Sequence, residues 1–400
     1  MKKVDIIISN YLSSGIGPVQ TVGRIINNHN FFLENGYDIT AFTLDCLSVP
    51  VYTQVKKGNG KIIKFLRNIT KWLALNSKIY SRYRIGLMFK ESHRILDYYK
   101  SLKRHPDILV FHSLMDVHEY LKYYKLENVK IVLFTHSDGM MFKMLLSYFP
   151  KLVGTKYEKH LHSMADFIMS NVDVKPCIAK IEEVNLLQKH PVLIGKTCLV
   201  ENGIDDLTTN QLEEIKGIRS KSYDKKFRLV SAGSLNGRKG QGEIIEALGK
   251  LDKGKLNEIH VELIGEGRER LHLEQKVEEY GLTDCVTFSG YIPNKDIYKH
   301  LSANNIYILI SKLEGLPLSI LEALRNSMAV ISTNVSGIPE IVDSSNGILI
   351  EPTIDCLVDV LSRLEKFDWV QMGLESRKKF EQHYNFKRMR EDYLKMLNRC

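Results

Sequence analysis

The chain has 400 residues, 44% of them apolar and 26% charged, and its 56 Lys and Arg against 47 Asp and Glu give a formal charge of +9. That balance fits a globular protein of two or three domains and excludes disordered, collagen-like and disulfide-stapled classes. Six scattered cysteines without a C-x-x-C pair predict neither a zinc framework nor disulfides, so a cytoplasmic protein is expected.

The first predicted strand, Val4-Asp5-Ile6-Ile7-Ile8, is an apolar run of the kind buried in a parallel sheet. It is too short for a signal peptide, and no stretch of the chain approaches the ~18 apolar residues of a membrane span. A glycine-bearing loop, Ser13 to Pro18, leads into one predicted helix with Val22, Ile25, Ile26, His29, Phe32 and Leu33 at helical spacing, ending at Asn35-Gly36. Strands at 38–44, 107–111 and 129–134 continue an alternation that argues for a doubly wound α/β domain.

The segment 51–125 holds 16 Lys and Arg against 5 Asp and Glu, a patch that attracts phosphates on a nucleotide, a nucleic acid or a lipid head group. Within it, Ile62, Phe65, Leu66, Ile69, Trp72 and Leu73 share one face of a predicted helix over 61–80, opposite Lys64, Arg67, Lys71 and Lys78. Such a helix either packs on its own domain or lies at an anionic membrane surface. The polar stretch 205–226 reads as a linker. The strand–helix pattern then restarts at 227–233, with further strands at 260–265, 286–288, 305–310 and 329–332. Two successive doubly wound domains imply a cleft lined by strand carboxyl ends.

Two loops of the second half carry candidate chemistry. After the strand ending near Ile310, Glu314 and Gly315 precede Pro317, which suits a helical first turn, so the amides of Leu318 and Ser319 offer an anion site. Glu322 lies just over one turn further on. Amides for a phosphate and flanking carboxylates for hydroxyls suit a sugar nucleotide; a helix cap and a solvated charge are the plainer alternative. The loop Gly233-Ser234-Leu235-Asn236-Gly237-Arg238-Lys239-Gly240 brings two cations to a second strand end, as a diphosphate clamp or a solvated basic turn. Gly15-Ile16-Gly17-Pro18 lacks the last glycine of a dinucleotide fingerprint, and Gly195-Lys196-Thr197 lacks the upstream glycine of a P-loop. His112, His160 and His162 are read as packing or surface residues before metal ligands, and no D-x-D triplet occurs.

Taken together, Glu314-x7-Glu322, the Lys239-Gly240 step, Val200-Glu201-Asn202-Gly203-Ile204-Asp205, Phe288-Ser289-Gly290 and Ser336-Gly337-Ile338-Pro339-Glu340 resemble the retaining family 4 glycosyltransferases. That resemblance implies the GT-B fold, two Rossmann-like doubly wound domains facing a central cleft. The expected limits are an acceptor domain over 1–204, the linker, a donor domain over 227–376, and a helix over 377–400 crossing back to the first domain. It further implies that Lys239 contacts the donor diphosphate, with Arg238 standing in for the arginine the family often carries where this chain has Ser234. Glu314 would hold hydroxyls of the donor sugar, Leu318 and Ser319 the phosphates, Glu322 the ribose and Ile292 the base. Gly15 and Gly17 would approach the diphosphate, and His136 would sit beside the transferred sugar.

The implied activity is retaining transfer of a hexosyl or N-acetylhexosaminyl group from a nucleotide sugar to a hydroxyl acceptor, in polysaccharide or glycolipid assembly. No metal or other cofactor is expected, and no nucleic-acid partner. The acceptor would be a saccharide or a lipid-linked one, with peripheral contact at the inner membrane face through 61–80. A sugar-nucleotide epimerase or hydrolase, and a non-catalytic polyanion or nucleotide-sugar binder, are the competing readings.

Overall fold

The computed structural model describes residues 1–12, 17–47, 69–70, 72–221 and 223–400. Gly15 and, of the helix expected over 61–80, residues 61–68 and 71 lie outside the described residues. The chain divides into two compact units, Met1–Glu201 with Arg390–Cys400, and Asn202–Met389.

The first unit is built on a parallel sheet of β1 (Lys2–Ile7), β2 (Tyr37–Phe42), β3 (Ile108–Phe111) and β4 (Lys130–Leu133), in the order β2-β1-β3-β4. A short parallel pair, β5 (Lys175–Cys177) and β6 (Thr197–Leu199), adjoins β4 through a bridge between Val132 and Val174. All four residues of β3 are buried, the signature of a sheet covered on both faces. Asp5 is buried on β1, where Tyr99 donates to it at 2.6 Å and Arg104 at 2.7 and 2.8 Å. Buried ionised groups persist only when paired in this way.

The single helix expected after the first loop is two, Gly17–Asn27 and His29–Glu34. Asn28 breaks it: its side-chain amide turns back to donate to the Arg24 carbonyl at 3.1 Å, and its Oδ1 accepts from Arg390 at 3.1 Å. Asparagine competes with the helical backbone for such bonds. Arg390 belongs to the terminal segment of this unit, whose Tyr393 is fully buried with its ring 5.7 Å from that of Phe134.

The second unit is a six-stranded parallel sheet of β7 (Phe227–Ala232), β8 (Ile259–Ile264), β9 (Val286–Gly290), β10 (Ile306–Leu309), β11 (Ala329–Thr333) and β12 (Gly347–Ile350), in the order β12-β11-β10-β7-β8-β9. Counted within the unit this is the doubly wound order 3-2-1-4-5-6, read from β9, and its winding reverses between β7 and β10. The stretch expected as a linker is part of this unit. It carries the helix Thr209–Arg219, started by a reciprocal cap between Thr208 and Gln211, with Ile215 packed against Leu207 and Tyr298.

Candidate active site

Ligands of doubly wound sheets bind outside the strand carboxyl ends where the winding reverses. In the second unit the two loops at that point are 233–240, after β7, and 310–317, after β10. They are tied closely. Lys312 N–H donates to the Arg238 carbonyl at 2.9 Å, and Arg238 Nη1 donates to the Leu313 carbonyl at 2.6 Å. Gly240 has φ +79°, and a β-carbon there would stand 1.9 Å from the Ile310 carbonyl oxygen. Only glycine meets both the backbone angle and this approach.

The side chains converge on one carboxylate. Lys239 Nζ lies 2.6 Å and Arg238 Nη1 2.9 Å from Glu314 Oε1, and Ser311 Oγ donates to the same oxygen at 2.6 Å. Glu314 is 6% exposed. Burial disfavours its charge, but Lys239 and Arg238 outweigh burial and hold the carboxyl below its ordinary range. Two cations against this one carboxylate give a positively charged cluster able to take an anion.

Residues that the sequence reading left without a role hold this loop. Ser336, in the left-handed region at φ +51°, accepts from the Glu314 amide at 3.4 Å. Asn202 is buried and donates to the Leu316 carbonyl at 2.9 Å. Thr333 donates to the Ser311 carbonyl at 2.6 Å. The Asn202-Gly203 and Ser336-Gly337 steps were visible as motifs, yet nothing in their spacing tells which backbone group each would meet.

Pro317 caps the helix Leu318–Arg325, so the amides of Leu318 and Ser319, both half-buried, have no acceptor inside the helix. Glu322 is half-buried one turn on. Ser234 is exposed, and its carbonyl accepts from Gln241 at 3.4 Å. Ile292 is half-buried two residues beyond β9, whose last carbonyl, at Gly290, accepts from Gly265 N–H at 2.7 Å. Gly233 N–H in turn donates to Ile264 at 3.0 Å, so the loops after β7, β8 and β9 are laced by backbone bonds.

In the first unit Gly17 opens the helix Gly17–Asn27. His136 follows β4 with a left-handed φ of +49°. Its Nε2 is 2.8 Å from Nδ1 of His112, which follows β3. Burial, then Lys175, push the His136 imidazole down to about 3, so it is neutral near pH 7. Beneath this turn lies a fully buried pair, Lys175 and Glu182 at 3.0 Å, with Thr135 donating to Glu182 Oε1 and Ile178 N–H to Oε2 at 2.7 Å. Nothing in the sequence marks these two residues as partners, seven apart across a strand and a helix. Gly195-Lys196-Thr197 forms a turn with Gly195 at φ +81° and enters β6. Among the described residues no three His, Cys, Asp or Glu side chains are placed to hold a metal ion, and no helix is long and apolar enough to cross a membrane.

Two doubly wound units, one with paired cation and carboxylate at its switch point, have the architecture of the GT-B glycosyltransferases. The whole chain superposes with a TM-score of 0.74 on sucrose-phosphate synthase from Thermosynechococcus elongatus, covering 98% of that chain at 16% identity. It superposes at 0.66 on Anabaena HepE in complex with UDP-glucose, covering 100% of both chains at 14% identity. Residues 213–383 match the model of the family Glycosyl transferases group 1. The amylovoran biosynthesis glycosyltransferase AmsK of Erwinia amylovora is 30% identical over 169 residues, 40% of this chain and 41% of that protein. The chain thus spans about two fifths of the length of this curated relative.

Proposed function

We propose that this protein transfers a sugar from a nucleoside diphosphate sugar to a hydroxyl acceptor, a saccharide or lipid-linked saccharide, with retention of anomeric configuration. The observation that carries the reading is the meeting of Lys239 and Arg238 with Glu314 at the switch point of the second unit. A sugar diphosphate needs cations for its phosphates and a carboxylate for its hydroxyls within one sugar's length, and these three side chains supply both. The complex of HepE with UDP-glucose, on the same fold, supports that substrate class.

In this mechanism Glu314 holds the two cations in place before the donor arrives. The donor's phosphates then share Lys239 and Arg238 and take the amides of Leu318 and Ser319, while Glu314 turns its acceptor capacity to sugar hydroxyls. Glu322 binds the ribose and Ile292 packs on the base, while His136 contacts the transferred sugar. As the glycosidic bond to the leaving phosphate breaks, charge grows on that phosphate, and fixed donors aimed at it stabilise the transition state; losing one typically costs ~10²–10³ in rate. The departing phosphate accepts the proton of the attacking hydroxyl on the same sugar face, which gives retention.

The test is product analysis by NMR after incubation with a nucleotide sugar and oligosaccharide acceptors. A new linkage with the donor's anomeric configuration is expected. Donor consumption without any acceptor product would overturn the reading in favour of a hydrolase or epimerase.

A further inference from the structure

The geometry points to His112 as a positioning residue that fixes the proton of His136 on Nδ1, so that His136 presents an N–H donor, not a lone pair, to its ligand. The inference rests on the proposed sugar contact of His136 only for its consequence in turnover.

His112 Nδ1 and His136 Nε2 are 2.8 Å apart, and the two ring planes differ by 20° with centroids 5.1 Å apart. That separation is what two nearly coplanar imidazoles give when joined edge to edge through one N–H···N bond. Burial pushes the His112 imidazole well down from its ordinary value, and His136 is likewise held neutral, so each ring carries one proton. The shared bond therefore has two forms. In one, His136 Nε2–H donates to His112 Nδ1, which places the His112 proton on Nε2. In the other, His112 Nδ1–H donates to His136 Nε2, which places the His136 proton on Nδ1.

The surroundings choose between them. His112 Nε2 is buried and has no hydrogen-bond partner among the described residues. A buried N–H with no acceptor is the rarest defect of native structures, and a bare acceptor is better tolerated. The proton of His112 therefore sits on Nδ1. The His112 ring is held in this plane, parallel to that of Phe134 within 2° at 4.9 Å with only 6% of the residue exposed, and the flip that keeps the plane would put a carbon where Nδ1 meets His136.

His136 is held with equal firmness. Its left-handed backbone, at φ +49°, strains a non-glycine residue and persists only where the surroundings over-determine it. Here they do so through Thr135 on Glu182, Asn185 Nδ2 on the Asp138 carbonyl at 2.7 Å, and Gly139 at φ +85°. A β-carbon at Gly139 would stand 2.5 Å from the Glu182 carbonyl oxygen. A turn this constrained has no play to recruit another partner for His136 Nε2.

The test is the side-chain ¹⁵N spectrum of the full chain labelled at histidine, with the His136 signals assigned by their absence in H136Q. The wild type should show His136 protonated at Nδ1. In H112F, which keeps the ring and removes the donor, His136 should move to the Nε2–H form that isolated neutral imidazole prefers. H112N, whose amide reaches the place of Nδ1, should restore the Nδ1–H form. Turnover should fall about a hundredfold in H112F, the scale of a small misplacement of a reacting contact, and recover at least partly in H112N. His136 protonated at Nε2 in the wild type, or an unchanged His136 signature in H112F, would overturn the proposal. A changed signature with unchanged turnover would overturn the sugar contact of His136 instead.

Discussion

Replacing Glu314 should harm the fold more than replacing either of its cations. The cluster of Arg238, Lys239 and Glu314 carries two positive charges and one negative, with side-chain exposures of 14%, 12% and 7%. Lys239→Ala leaves Arg238 and Glu314 as a neutral pair, with Ser311 still donating to the carboxylate. One charge-assisted bond is lost and a cation–cation repulsion is relieved, for a net cost of about 1–2 kcal/mol. Glu314→Gln removes the carboxylate that both enclosed cations share, a loss that costs about 3–5 kcal/mol. For a unit of this size each kcal/mol lowers Tm by roughly 2–4 °C, so thermal unfolding separates the two variants. Added nucleoside diphosphate supplies the missing negative charge and should raise the Tm of Glu314→Gln by more than that of the wild type. A Glu314→Gln protein as stable as Lys239→Ala, or one indifferent to nucleoside diphosphate, would refute the cluster as an anion site held closed by its own carboxylate.

Three further outcomes are expected. Gly240→Ala should lose about 3 kcal/mol or more by urea unfolding, since φ +79° and the Ile310 carbonyl both oppose a side chain. Lys175→Met should cost about 3–5 kcal/mol by stranding the Glu182 carboxylate, and the double variant with Glu182→Leu should recover most of it in a double-mutant cycle. His136 has its pKa lowered from 6.5 to about 3, so the unfolded chain binds its proton first. Its contribution is complete above pH 6.5 and is lost as pH falls from there to about 3, so His136→Gln should flatten the pH dependence of stability in that window.

The four strands of the first sheet and five of the six in the second are legible because they read as apolar runs, as at Ile306–Leu309 and Ala329–Thr333, whereas β12, half-buried at Ile348 and Leu349, is not. Lys239 and Glu314 were legible as candidates because glycine loops after such strands have few other reasons to concentrate charge. Their direct contact was not legible, since it depends on β7 and β10 being neighbours across 75 residues. The helix Thr209–Arg219 is hidden by its polarity, although Thr208 and Gln211 stand at cap spacing. The break at Asn28 was hidden because apolar spacing runs through it, and its cause is a tertiary bond from Arg390. The His112–His136 bond depends on two adjacent strands ending at the same level, information that periodicity does not carry.

The most direct measurement is a thermal-unfolding panel with UDP-, GDP- and ADP-sugars on the wild type and Lys239→Ala. A ligand bound only by the folded state stabilises it by RT ln(1 + [L]/Kd), about 2.7 kcal/mol at a hundredfold excess over Kd. One nucleotide class should raise the wild-type Tm by an amount that largely disappears in Lys239→Ala. Equal stabilisation of both proteins, or of neither by any donor, would contradict the account.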